Sequence, residues 1–275
     1  MTEILIAADM EGISGVVHWD QVDPKHKEYD RFRKLMTADV NAAVRGAFEG
    51  GATAAVVADG HGSGRNILVE NLDPRARLNS GSPSPLGMVQ GVDGGLDAAM
   101  FVGYHARVGS QNAILDHTWS SSTVAGVWLN GRPLGEIGWN AAVCGHFHLP
   151  VILLSGDQTA CAEAVELLGA VETVAVKQAR GRMAAECLPP QVAQEQIFEA
   201  ARRAVRRLVA GDAPPPLRFE PPLALQVELV TSDMADRAAI LPGVQRLEGK
   251  RIELVAGDAV TAYRSFRALV TLARP

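Results

Sequence analysis

Cysteine is scarce in this chain: Cys144, Cys161 and Cys187 are the only three in 275 residues, widely spaced and without a Cys-x-x-Cys pair. That pattern excludes a disulfide framework and a thiolate zinc knuckle, so the three are expected to be reduced and mostly buried. Long hydrophobic runs are missing too. No apolar stretch approaches the ~18 residues of a membrane span, and the longest, such as Val151–Ser155, are strand-sized. Blocks of Lys and Arg are absent, and 26 basic residues against 31 acidic ones leave a net charge of −5. A nucleic-acid partner is therefore not expected. The first residues, Met1–Asp9, lack a basic segment and meet a carboxylate early, which argues against an export signal and for a cytoplasmic protein. What is present is an apolar fraction of 47% with 21% charged residues, a globular composition that excludes disorder and collagen. The length suits one large domain or two modest ones.

Short, almost purely apolar runs recur at Ile4–Ala8, Ala54–Ala58, Ala99–Gly103, Val151–Ser155 and Thr173–Val176. Such runs read as strands covered on both faces. Arg31–Glu49 carries apolar residues at helical spacing and stops at Gly50-Gly51, and a second helix is expected over Thr159–Leu168. The alternation predicts an α/β fold with a mainly parallel sheet and flanking helices. Val124–Asn130 and Leu134–Ile137, joined at Asn130-Gly131, read as a hairpin with Glu136 on its returning strand. Beyond Pro189 a long amphipathic helix over Gln191–Val209 leads into a proline-rich connection. Leu223–Val230, Arg251–Val255 and Ala259–Leu272 then predict a smaller C-terminal α+β unit. A boundary near 185 divides a catalytic unit, 1–185, from a unit for packing and oligomerisation, 186–275.

Three successive strand ends carry residues of metal-ligand type: Asp9 and Glu11, then His61 between glycines, then His105. In a parallel sheet these ends line the crevice where ligands bind. Chance accounts for one such placement and poorly for all three. Carboxylate and imidazole donors without thiolates suit zinc or a similar divalent ion. With Glu136 as a fifth candidate, the set exceeds a mononuclear site and suits two metals sharing one bridging carboxylate.

The strings Asp9-Met10-Glu11-Gly12-Ile13-Ser14-Gly15, Asp59-Gly60-His61-Gly62, Gly103-Tyr104-His105-Ala106, Asp116-His117-Thr118, Gly135-Glu136 and Ser155-Gly156-Asp157 resemble, in order, the motifs of the DppA-type zinc D-aminopeptidase family. The likeness covers about the first 180 residues. It implies a cytoplasmic metallopeptidase that removes an N-terminal D-residue, typically D-Ala, from short peptides. Two cations would each lower the pKa of bound water, so metal-activated water is the expected reagent. The likeness also implies two zinc ions per subunit and a homodecamer of two stacked pentamers. Asp9 would bridge the ions, Glu11 and His105 would complete one site, and His61 and Glu136 the other. His117 matches the catalytic histidine, in a role left open between attack, proton transfer and oxyanion stabilisation.

Two other readings stand beside this one: a non-catalytic metal- or peptide-binding module on the same scaffold, and a binuclear hydrolase of another amide or ester. Arg65 and Asn66 are candidates for a substrate carboxylate, or Arg65 caps a neighbouring element. His18 and His26 belong to a polar surface segment near the mouth of the site, and His146 and His148 to a helix end or a subunit contact. Gly-rich Asn79–Gly95 reads as a solvent loop or a substrate entrance. Nothing in 185–275 points to chemistry.

Overall fold

The computed structural model describes residues 1–274. Strand β1 (Glu3–Ala8) is followed by the 22-residue helix α1 (Tyr29–Gly50), then by β2 (Ala54–Asp59), β3 (Ala76–Asn79) and β4 (Ala98–Val102). A short hairpin, β5 (Val124–Leu129) and β6 (Arg132–Pro133), precedes helix α2 (Glu136–His146). Next come β7 (Val151–Asp157), α3 (Gln158–Leu168), β8 (Glu172–Gly181), β9 (Ala184–Cys187) and α4 (Pro190–Val209). The chain closes with β10 (Leu223–Leu229), α5 (Ser232–Ala238), β11 (Gln245–Arg246), β12 (Arg251–Ala256) and α6 (Ala259–Ala273).

Seven strands form one sheet in the order β3-β2-β1-β4-β7-β8-β9, parallel except for β9. Alternation along β1 shows why both faces are covered. Ile4, Ile6 and Ala8 point into a core built with α1 and α4, while Leu5 and Ala7 point into a second core with α2, α3, α6 and the other sheet. Helices α1 and α4 approach closely because Gly46 has no side chain, and a Cβ there would lie 2.3 Å from the carbonyl oxygen of Phe198. The second sheet is antiparallel, ordered β11-β12-β10-β5-β6. In β10 the buried residues alternate, Leu223, Leu225, Val227 and Leu229 facing α6 and the shared core.

The parallel sheet, the flanking helices and the antiparallel C-terminal layer agree with the sequence reading, but three details differ. Glu136 opens helix α2 rather than sitting on a returning strand; β6 has only two residues. Every residue of α2 from Glu136 to Gly145 is buried, so no amphipathic stripe marks it as a helix. Strand pairing also ignores a division at 185: β5 and β6 join the sheet of β10 and β12, while α4 packs on α1. Finally, the 79–95 segment is not a solvent loop, because Leu86, Met88, Val89 and Val92 are buried in the core. No described helix is long and apolar enough to cross a membrane.

Candidate metal centre

Strands β2, β1 and β4 are neighbours running the same way, with Ala8 paired to Asp59 on one side and Val102 on the other. Their following residues therefore meet at one sheet edge: Asp9 and Glu11, His61, and His105. The strand order also reverses between β1 and β4, the kind of switch point where parallel sheets open a crevice. Helix α2 brings Glu136 to the same place from its first turn, and the loop after β4 brings His117.

Burial of so many polar groups needs a rigid frame, and the neighbouring loops supply it. Gly12 donates its N–H to the carbonyl of Gly103, and a Cβ at Gly12 would lie 1.9 Å from the carbonyl oxygen of Tyr104. Lys177, fully buried in β8, donates to the carbonyls of Glu11 (2.7 Å), Ile13 (2.9 Å) and Val16 (2.7 Å). Burial pulls its ammonium down to about 8. Asp39 of α1 accepts from both the N–H and the hydroxyl of Ser14. The loop carrying His61 is shaped by Asp59, which accepts from the backbone N–H groups of Asn66 and Ile67 and the Asn66 amide.

The donors converge. His61 Nδ1 lies 3.0 Å from Glu11 Oε2 and 3.5 Å from Asp9 Oδ1. His105 Nε2 lies 3.4 Å from both Asp9 Oδ2 and Glu136 Oε1. His117 Nε2 stands 3.7 Å from Glu136 Oε1 and 3.9 Å from Glu11 Oε1. Asp9 thus faces a different imidazole with each oxygen. Potential donor atoms of Asp9, Glu11 and His105 fall within 4.8 Å of one another, as do those of His105, His117 and Glu136.

Each imidazole commits one nitrogen to the backbone: His61 Nε2 to Val22 O, His105 Nδ1 to Ala106 O and His117 Nδ1 to Leu115 O. An N–H must sit on that side, so the other nitrogen of a neutral ring turns a lone pair toward the carboxylates. Lone pair against carboxylate is repulsive unless a proton or a cation lies between. Burial pushes Asp9 up to about 7, with the Glu11 charge adding to it. Burial opposes ionisation of Glu11 as well, yet the imidazoles of His61, His117 and His105 hold it well below the usual carboxylate range. His117 is lowered by burial and by His105 beside it, which favours a neutral ring. Asp9 Oδ2 and His105 Nε2 are buried without a hydrogen-bond partner among the described residues. A set of hard oxygen and imidazole donors with two orphaned atoms fits a divalent cation.

Above the cluster opens a cleft of about 880 Å³. Asp9, Glu11, His61, His117 and Glu136 form part of its lining, while His105 lies beneath, 1% exposed. Trp19 meets His117 edge-on at 5.3 Å, and the backbone N–H of Trp119 donates to Glu136 Oε1 at 2.6 Å. All six residues expected at the site are therefore brought together. Arg65 and Asn66 are not part of the cleft lining. Asn66 is buried and holds the His61 loop through the carbonyl of His61, and Arg65 reaches only Ser63. His18 and His26 pair with half-exposed Asp20. His146 ends α2 beside Asp258, and His148 contacts Arg218. Sequence reasoning missed Lys177, Asp39, Trp119 and the arginines of α6 that line the cleft.

Residues 2–268 match the family of D-aminopeptidases. The chain is 35% identical over 275 residues to the D-aminopeptidase of Bacillus subtilis strain 168, covering 98% of this chain and 97% of the relative. Among solved structures it is similar to the Zn-dependent D-aminopeptidase DppA from Bacillus subtilis, described as a self-compartmentalizing protease. That likeness has a TM-score of 0.95 at 34% identity and covers 99% and 98% of the two chains. With the match running through both sheets and every strand end of the cleft, this chain belongs to the D-aminopeptidase family.

Proposed function

We propose that the protein is a zinc-dependent aminopeptidase that releases an N-terminal D-residue, of the D-Ala type, from short peptides, with two zinc ions in each subunit. The observation that carries this reading is the pair Asp9 Oδ2 and His105 Nε2, buried 3.4 Å apart beside Glu136 Oε1 and without a hydrogen bond among the described residues. Asp9, Glu11 and His105 would hold one ion, and Asp9, His61 and Glu136 the other, with Asp9 shared. The zinc dependence described for the similar Bacillus enzyme supports the choice of metal. Bound there, the ions would supply nucleophile activation and Lewis-acid polarisation of the scissile carbonyl.

The chain's own groups do the rest. His117, with Nδ1–H committed to Leu115 O, offers Nε2 to the reacting atoms and serves as the group that accepts a proton and returns it to the departing amine. Glu136 is fixed by the Trp119 N–H, so its second oxygen keeps one orientation. Burial of the floor excludes bulk water and strengthens every charge interaction there. Assembly into a homo-oligomer belongs to the same proposal and is supported by the self-compartmentalizing description of the relative; a decamer is the form proposed from the motif resemblance.

The test uses matched peptides differing only in the hand of the first residue, assayed before and after chelation. Chelator-sensitive release from the D-peptide alone is the expected result. Metal without release from any peptide would instead favour another amide or an ester, and sedimentation of the same preparation reads the assembly.

A further inference from the structure

The floor of the cleft is anionic and imidazole-rich, but the wall facing it has the opposite charge. Helix α6 contributes Arg264 and Arg267 to the lining, one turn apart, from the layer to which the sequence assigned no chemistry. Neither has a carboxylate within 4.0 Å among the described residues.

Of the two, Arg267 makes the more contacts. Its Nη1 donates to the carbonyls of Ser84 (2.7 Å) and Pro85 (3.0 Å), and its guanidinium stands 5.7 Å from the Trp119 ring and 5.6 Å from the Tyr263 ring. Those contacts use one nitrogen and the flat faces. Nε and Nη2 make no hydrogen bond to any described residue. A half-buried, oriented guanidinium with a free N–H edge is the geometry that takes a carboxylate in a forked pair. An arginine that only pins the 84–85 segment would need Nη1 alone.

Trp119 connects this group to the metal centre, since its backbone N–H holds Glu136 while its ring supports Arg267. A single residue thus fixes the relation between the two ends of the cleft.

We infer that Arg267, assisted by Arg264, is the subsite for the free C-terminal carboxylate of the substrate, so that the enzyme selects short peptides by holding both termini. The inference rests on the aminopeptidase reading for the nature of the substrate. Substrate enters with its amino end at the cluster and its carboxylate at α6, and a long or C-terminally blocked peptide loses the second anchor.

The experiment compares a D-alanyl dipeptide with its C-terminal amide on the zinc-loaded full-length protein. Both steady-state kinetics and calorimetric titration are read. Wild type should favour the free acid by roughly tenfold or more in kcat/KM, the size of a lost charged hydrogen-bond pair. Arg267→Gln should bring that preference close to one, through KM rather than kcat, and Arg267→Lys should restore part of it. Arg264→Gln, at an exposed position without folding risk, should weaken the preference by a smaller factor. An unchanged acid-to-amide ratio in Arg267→Gln overturns the subsite, whether both substrates suffer equally or neither does. If wild type releases nothing from either compound, the aminopeptidase reading fails. The titrations then decide the subsite: acid-over-amide binding lost in Arg267→Gln upholds it, and equal binding in wild type rejects it.

Discussion

His105 and His117 lie face to face, ring centroids 4.0 Å apart and planes inclined by 14°, each with Nδ1 turned to a backbone carbonyl. Two stacked rings cannot both carry charge cheaply at this distance, and the lowered proton affinity of His117 follows from its burial and from that neighbour. Only His105 stands against Asp9, 3.4 Å from its Oδ2, in keeping with the proposed division between a ligand and a proton carrier.

His117→Ala should consequently lower kcat by ~100-fold or more, the usual weight of a positioned proton-transfer group, while zinc content stays as in wild type. Kinetics and elemental analysis on one preparation check both halves. Near-wild-type turnover would remove His117 from the mechanism.

Lys177 holds three carbonyls of the loop that carries Glu11. Lys177→Met keeps the volume but leaves those acceptors buried and unpaired, at a cost of about 3 kcal/mol or more. Urea denaturation should show that loss. Zinc affinity should fall about 10- to 100-fold, as it does when the groups supporting metal ligands are removed.

Asp39 provides a dependence on pH away from the metal. Burial pushes it from an ordinary 3.8 up to about 6, although Ser14, Gln194 and nearby Lys177 favour its ionised form. Between those values the native protein keeps a proton that the unfolded chain releases, so the stability from this group is greatest at low pH and declines as pH rises to 6. Two pH units at ~1.4 kcal/mol each set an upper limit of about 3 kcal/mol. Denaturant midpoints from pH 4 to 7 should fall in wild type relative to Asp39→Asn. Parallel profiles would contradict the assignment.

Much of this centre was legible because parallel strands place their ends side by side, so Asp9, Glu11, His61 and His105 could be grouped from three apolar runs alone. The motif resemblance added His117 and the roles. Glu136 was found but misplaced, since a helix buried on every side shows no stripe and Asn130-Gly131 does form a turn. Lys177 left a trace, a lone cation at the end of the Thr173–Val176 run, but its partners lie more than 160 residues away. Arg267 left none, because its meaning comes from α6 folding back over the first sheet's edge. Asn66 shows the converse: adjacency to His61 suggested substrate, whereas a buried amide satisfying Asp59 is part of the frame.

The measurement closest to the central claim is anomalous diffraction at the zinc edge from crystals of the zinc-loaded protein. Two peaks in each subunit, roughly 3.5–4 Å apart and both ligated by Asp9, are predicted for a two-metal site with a shared carboxylate. A single peak, or peaks away from Asp9, would contradict it.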